Sequence, residues 1–287
     1  MSNWIKKGII FDKEWAQLPV VDVYHDYYKI YYSTRDEQGR SIPKCIFSGK
    51  KFIYKSAAYN IDIPLGKPGS FDSHGIMPSD IITLEDGTKY MYYVGWSKRI
   101  DVPYWNSTGL AISKDNGNTW KKYSEGPVLS SNINESGFIG TVSCSKNKWL
   151  GTYDLFYSSC NWEIINGKHE PVYGIRQGSF IFPNDINHIV DFIDLKDNEG
   201  GIASFREVGN KYFYSKRNKL DYRINIKNSY KIYSVDMDTE KEKLELEPEG
   251  DELMTAYPFI IEEKDKYIMF YNSDFGSKGI SYAELKK

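Results

Sequence analysis

Five adjacent aromatic pairs divide this chain: Tyr31-Tyr32, Tyr92-Tyr93, Phe156-Tyr157, Phe213-Tyr214 and Phe270-Tyr271. Their second members lie 61, 64, 57 and 57 residues apart, a period near sixty. A shorter apolar run precedes each pair: Pro19–Val21, Ile81-Ile82, Thr141-Val142, Ile202-Ala203 and Phe259–Ile261. After most pairs comes a third run, as in Gly109–Ile112, Val172–Ile175, Tyr230–Tyr233 and Gly279–Tyr282. Short runs of β-branched and aromatic residues between Gly/Asp/Asn turns read as antiparallel strands. A four-stranded meander cannot bury both of its faces alone, so a repeated one stacks on its copies.

The repeat leads to an all-β expectation: a five-bladed β-propeller of four-stranded antiparallel blades, with residues 1–287 as a single domain. The segment Asp238–Glu249 is mostly charged, and Leu244 and Leu246 alternate as in a strand rather than a helix. The first run, Ile5–Phe11, and the last, Ile280–Leu285, are expected to pair within one blade. In Ser113-Lys114-Asp115-Asn116-Gly117-Asn118-Thr119-Trp120 the S-x-D-x-G-x-T-W pattern is an Asp-box, whose Asp and Ser brace a hairpin turn over the Trp. Its expected role is stability, away from any active mouth.

With 37 basic and 39 acidic residues, a net charge of −2 makes no electrostatic case for nucleic acid or an anionic membrane. No apolar run approaches membrane-spanning length, so no membrane insertion is expected. The start, MSNWIKKGIIFDKEW, shows no apolar signal segment, and three irregularly spaced cysteines suit a reducing compartment. These readings point to a cytoplasmic protein. Four histidines without ligand spacing argue against zinc, and no cofactor motif is present.

The polar residues flanking the first runs and aromatic pairs are expected to line one mouth of the ring. They are Gln17, Arg35, Asp36 and Arg40 in the first repeat, and Asp72, His74, Trp96, Trp105 and Asn106 in the second. The fourth repeat offers Glu199, Arg217, Tyr222 and Arg223, and the fifth Tyr257, Asn272 and Asp274. Each has a structural alternative. Asp72 can cap a turn, Arg35 and Asp36 can form a surface ion pair, and the tryptophans can be core. Two guanidinium groups in one channel would repel unless an anion or carboxylates sat there, which brings a negatively charged substrate into consideration.

Several segments together carry a family resemblance: AQLP at 16–19, YKIYYSTRDEQGRS at 28–41, FDSHGIMPS at 71–79, YMYYVGW at 90–96, NSTGLAISKDNGNTW at 106–120, YPF at 257–259 and FYNSDFGSKGISYAEL at 270–285. They resemble the five-bladed propeller superfamily of arabinanases, invertases, levansucrases and mannoside phosphorylases. They look nearest to a bacterial branch linked to surface-polysaccharide biosynthesis. The resemblance spans nearly the whole chain and is carried mainly by the first, second and fifth repeats. It implies a carbohydrate-active enzyme that cleaves or transfers a glycosyl unit with two carboxylates. Asp72, Asp36 and Glu199 are the acids it nominates, acting on a saccharide or nucleotide sugar. The alternatives are a non-catalytic saccharide-binding propeller and a sialidase-like hydrolase.

Overall fold

The computed structural model describes residues 3–53, 55–133, 135–146, 152–180 and 186–287, the last segment without the side chains of 186–189. Among them are twenty strands and one short 3₁₀ turn, Asp274–Gly276. The strands begin with β1 (Ile5–Phe11), β2 (Gln17–Val23), β3 (Tyr27–Arg35), β4 (Ser41–Gly49) and β5 (Tyr59–Asn60). Next come β6 (Gly75–Thr83), β7 (Lys89–Ser97), β8 (Trp105–Ser113) and β9 (Lys121–Lys122). They continue as β10 (Phe138–Lys146), β11 (Tyr153–Ile165), β12 (Lys168–Phe180) and β13 (Ile186–Ile193). Then follow β14 (Glu199–Val208), β15 (Lys211–Asn218), β16 (Lys231–Asp236) and β17 (Glu242–Leu246). The chain ends with β18 (Thr255–Glu262), β19 (Lys266–Ser273) and β20 (Ile280–Lys286).

Antiparallel pairing proceeds in groups of four. The order β18-β19-β20-β1 forms one sheet, with Ile5 opposite Glu284 and Phe11 opposite Ile280, so the two ends of the chain pair as expected. Groups β2–β5 and β6–β9 share a sheet only through the parallel pair Ser41 and Gly75. Groups β10–β13 and β14–β17 share another through Tyr173 and Gly201. No sheet among the described residues closes on itself by hydrogen bonds. Packing links the groups instead: β2 contacts β6, β6 contacts β10, β10 contacts β14, β14 contacts β18, and β18 contacts β2. The aromatic pairs fall on β3, β7, β11, β15 and β19, where Tyr32, Tyr93, Tyr157 and Phe270 are fully buried between neighbouring groups.

The five leading strands share an irregularity. Register breaks fall between Gln17 and Val20, Pro78 and Asp80, Ile139 and Val142, Ala203 and Arg206, and Ala256 and Phe259. At three of them a non-glycine residue has positive φ: Leu18 at 58°, Ser204 at 54° and Tyr257 at 60°. A bulge removes backbone groups from the ladder, and a buried N–H needs another acceptor. The neighbouring groups supply it. Leu18 N donates to Asn272 Oδ1 at 2.9 Å, Val142 N to Ser79 Oγ at 2.8 Å, Ser204 N to Thr141 Oγ1 at 2.8 Å and Tyr257 N to Ser215 Oγ at 2.7 Å. The remaining junction is bridged by Ser41 N donating to His74 O at 3.0 Å.

Below the breaks, Arg206 on β14 reaches Asp80 on β6 at 2.8 Å and lies 4.4 Å from the Phe259 ring of β18. One ion pair thus ties three groups together in the interior. Burial raises the Asp80 carboxyl against the pull of Arg206, and burial lowers Arg206. Removing one partner of such a pair strands the other charge. Asp80→Ala is expected to cost about 3–5 kcal/mol in denaturant unfolding. A paired apolar replacement, Asp80→Leu with Arg206→Met, should recover most of that loss.

The Asp-box behaves as read. Asp115 Oδ1 accepts Ser113 Oγ at 2.7 Å and Thr119 N at 2.9 Å, while Oδ2 accepts Thr119 Oγ1 at 2.6 Å. Trp120 is buried edge-on to Tyr31 of the first group, 6.0 Å between ring centres. The turn also docks there, with Tyr24 OH donating to Asn116 O at 2.7 Å. The Thr119 hydroxyl and N–H, with Ser113, hold the Asp115 carboxyl down at about 2. A depressed folded-state pKa stabilises above the unfolded value of roughly 3.9 and is lost as pH falls towards 2. The melting-temperature deficit of Asp115→Asn should therefore be full at neutral pH and vanish on acidification through that window.

Candidate functional site

A cavity of about 390 Å³ opens where the leading strands begin. The register breaks build its floor, because each leading strand contributes a residue there: Leu18, Met77, Thr141, Ala203 and Tyr257. Aromatic walls come from Trp96, Tyr104, Phe138 and Tyr173. Two glycines let the rings lie flat on neighbouring backbone: a Cβ at Gly75 would overlap the Trp96 indole, and one at Gly201 the Tyr173 ring. Both glycines sit at the parallel junctions, so the joints between groups also seat two of the walls.

Arg35 stands at the mouth. Its guanidinium lies 5.7 Å from the Trp96 ring, donates to Ser41 Oγ, and reaches Gln17 Oε1 at 3.4 Å. Among the described residues it pairs with no carboxylate, and burial lowers its pKa while Tyr257 opposes that shift. Gln17 Nε2 lies 3.5 Å from Tyr257 OH. Burial raises the Tyr257 phenol, keeping it a neutral hydrogen-bond donor. Asn106 lines the wall, with its Oδ1 buried and without a hydrogen-bond partner among the described residues. Cys160 also lines the cavity, but burial holds its thiol well above the ordinary value, so it is not poised as a nucleophile. Among the described residues, no Asp or Glu lines this space.

The three nominated carboxylates lie elsewhere. Asp72 is fully buried, accepts Lys122 Nζ at 2.6 Å and Tyr93 OH at 3.1 Å, and anchors the 66–74 loop to the second group. Asp36 sits in the β3–β4 turn and accepts Arg40 Nε at 2.8 Å and Arg40 N at 2.8 Å. Slight burial opposes them, but these bonds hold its carboxyl below the ordinary range. Glu199 pairs with Lys216 at 2.8 Å and accepts Lys196 N at 2.9 Å, beside a separate recess near Phe192 and Tyr212. The structure does not bring these acids together around one bond.

Of the other candidates, Gln17, Arg35, Trp96, Asn106 and Tyr257 line the cavity. His74 lies beside it, 5.7 Å from Trp96 with Nδ1 3.0 Å from Ser73 Oγ, and Trp105 packs 5.7 Å from Phe138. Arg217 is buried behind Tyr173, 3.7 Å above the Tyr222 ring, with Nε donating to Tyr230 OH at 3.0 Å. Arg223 pairs with Glu170, which also accepts Tyr222 OH at 3.0 Å. An aromatic cage and an acid therefore keep these two arginines apart without a bound anion. Asn272 clasps the chain through Nδ2 bonds to Ala16 O and Gly279 O, both 2.7 Å. Asp274 accepts Leu253 N at 2.6 Å and pairs with Lys278 at 3.0 Å. Tyr173 reads from sequence only as part of the strand run Val172–Ile175, and Phe138 falls in none of the runs read there. No group of three or more His, Cys, Asp or Glu side chains among the described residues could hold a metal.

No protein-family model matches the chain. An uncharacterized protein of Mycobacterium tuberculosis, present in two strains, is 26% identical, with 99% of each chain covered. Among solved structures, a BT0996 complex with RGII superposes with a TM-score of 0.70 at 15% identity, covering 99% of this chain and 92% of that one. The catalytic domain of a Coprinopsis cinerea GH62 α-L-arabinofuranosidase gives 0.63 at 12% identity, covering 99% and 96%. CoXyl43, a GH43 β-xylosidase/α-arabinofuranosidase from a compost metagenome in complex with xylotriose, gives 0.60 at 12% identity, covering 98% and 95%. The chain therefore has a glycoside-hydrolase-like, β-propeller-like fold.

The geometry around Asp72 makes a direct prediction. Asp72→Asn should destabilise the protein by about 3–5 kcal/mol, because Lys122 loses its buried partner. Denaturant unfolding of the variant beside wild type checks it.

Proposed function

We propose that this protein is a saccharide-binding propeller of five four-stranded blades, acting as one domain, whose central cavity holds an anionic sugar without cleaving it. The observation carrying this reading is the cavity lining itself: among the described residues, aromatic walls and convergent polar groups around a lone guanidinium, with no carboxylate. Its volume falls near the lower end of small-molecule sites, roughly 300–1,000 Å³, enough for a short saccharide. Ring faces such as Trp96 suit the apolar face of a sugar, while Gln17 and Thr141 meet hydroxyl groups. Arg35 offers a charged fork to a carboxylate or phosphate. That the solved neighbours include a complex with xylotriose and one with RGII supports a saccharide ligand.

Two-carboxylate hydrolysis requires acids flanking the glycosidic bond, about 5 Å apart for retention and about 6.5–9.5 Å for inversion. Asp36, Asp72 and Glu199 are each committed to a cation away from the cavity, which favours binding over cleavage. On the strength of the sequence resemblance, we extend the reading to an acidic saccharide or nucleotide sugar of surface-polysaccharide metabolism.

Calorimetry and product analysis with xylotriose, an oligogalacturonide and UDP-sugars test the proposal. Wild type is expected to bind an acidic ligand without releasing product. Trp96→Ala should weaken binding about tenfold or more. Arg35→Gln should lose roughly ten- to a hundredfold for acidic ligands and little for neutral ones. Turnover abolished by replacing Asp36, Asp72 or Glu199 would overturn it.

A further inference from the structure

Arg217, near the end of β15, is a fully buried guanidinium that forms no ion pair among the described residues. Gly200 makes its seat, since a Cβ there would overlap Nη1, and the adjacent Gly201 seats Tyr173. Nε donates to Tyr230 OH at 3.0 Å, Nη1 to Asn218 O at 3.0 Å and Nη2 to Pro171 O. The rings of Tyr222, Tyr173 and Tyr230 lie 3.7, 5.3 and 5.6 Å away. Carbonyls and ring faces satisfy its hydrogen bonds but carry no net charge. Glu170 is near enough to feel Arg217, yet its ion pair is with Arg223, whose guanidinium lies 4.3 Å from the same Tyr222 ring. Two cations against one acid leave this cluster one positive charge in surplus. Neighbouring acids do not cancel it. Asp221 is exposed, where water screens it, Glu163 pairs with Lys219, and the acids of the 247–252 loop pair with Lys6, Lys231 and Lys278.

The surplus adjoins the cavity, because Tyr173 is one of its walls. A chain of contacts joins Arg217 to Arg35 across the floor. Arg35 reaches Gln17 Oε1 at 3.4 Å, and Gln17 Nε2 donates to Tyr257 OH at 3.5 Å. The Tyr257 ring lies 6.1 Å from that of Tyr230, whose hydroxyl accepts Arg217 Nε. Tyr257 thus stands midway between two guanidinium groups. Burial raises its phenol, while Arg217 and Arg35 both oppose that shift, so their fields meet there. Its oxygen accepts from Gln17, which leaves its own proton to be donated to an anionic oxygen in the cavity.

We infer that Arg217 is a specificity-determining residue of the cavity: without touching the ligand, it selects an acidic saccharide over its neutral counterpart. The acidic group lies against the Tyr257 hydroxyl, between Arg217 and Arg35. This role rests on the saccharide-binding reading above and adds to it a second charge, hidden behind the wall. A ligand against Tyr173 lies on the order of 10 Å from Arg217, where a unit charge at an effective dielectric near 20 changes affinity by about tenfold.

Calorimetry on the full chain tests this, with digalacturonate and UDP-glucose as acidic ligands and digalacturonate methyl ester and xylotriose as neutral ones. Arg217→Met, which refills the tyrosine cage with an apolar chain, should weaken the acidic ligands about tenfold and leave the neutral ones unchanged. Arg217→Lys keeps the charge and should retain most of the preference. Glu170→Gln supplies the opposite sign and stands even where Arg217→Met fails to fold. Removing that acid enlarges the surplus, so the acidic ligands should bind about two- to fivefold tighter at low salt, a gain that shrinks as salt is added. An arginine with a merely structural role would lower both ligand classes together and could gain nothing from Glu170→Gln. Equal losses for acidic and neutral ligands in Arg217→Met, or acidic binding that Glu170→Gln leaves unchanged, overturn this role alone. A wild type that binds none of the four ligands removes the saccharide-binding reading, and this role with it.

Discussion

The register break shared by the leading strands governs this molecule. A bulge in the middle of a ladder frees backbone groups that cannot reach water, and leaving each unmet would cost about 1–3 kcal/mol. The chain meets them across the joints, with Asn272, Ser79, Thr141 and Ser215 each bonding a bulge N–H of another group. The positive φ values at Leu18, Ser204 and Tyr257 carry strain of order 1–3 kcal/mol each. That strain persists because the surrounding bonds over-determine the backbone. The same irregularity that stitches the groups together also forms the cavity floor, so assembly and site share one physical origin.

Charge placement follows a complementary logic. The interior acids are matched locally: Asp80 with Arg206, Asp22 with Lys89 at 2.6 Å, Asp72 with Lys122 and Glu135 with Arg176 at 2.8 Å. Each pair ties segments far apart in sequence, and each neutralises a buried charge that would otherwise be expensive. Arg35 remains outside this pattern, its guanidinium against an indole and two neutral side chains. A cation without an acid, beside neutral phenol donors at Tyr257, Tyr104 and Tyr173, leaves a cavity rich in donors and poor in negative charge.

Much of the scaffold was legible because it repeats. Aromatic pairs at a period near sixty and shorter runs before them mark strands whose spacing survives any detail of packing, and the Asp-box is a local motif whose bonds span only a few residues. The site was legible only in part. Gln17, Arg35, Trp96, Asn106 and Tyr257 follow from being next to strand ends. Asp72 sits in the same kind of position, yet its partner Lys122 is fifty residues away, and no local pattern records that pairing. Arg217 reads as a free cation in sequence but is enclosed by tyrosines from β12 and from the loop before β16.

Similarity of backbone at 12–15% identity is understandable on these terms. Stitching the joints asks only for a small polar side chain with an oxygen at the right depth, a demand that Ser, Thr and Asn all satisfy here. Folding therefore constrains those positions by type rather than by identity. Apart from Thr141, whose hydroxyl also stitches a joint, the floor residues are under no such demand, since Leu18, Met77, Ala203 and Tyr257 differ in size and polarity while lying on corresponding strands. A scaffold built this way can keep its architecture while the leading strands exchange the side chains they present to the cavity. Chemistry is thus read from the floor and walls rather than from the fold, and in this chain those surfaces bear aromatic rings, neutral donors and one guanidinium.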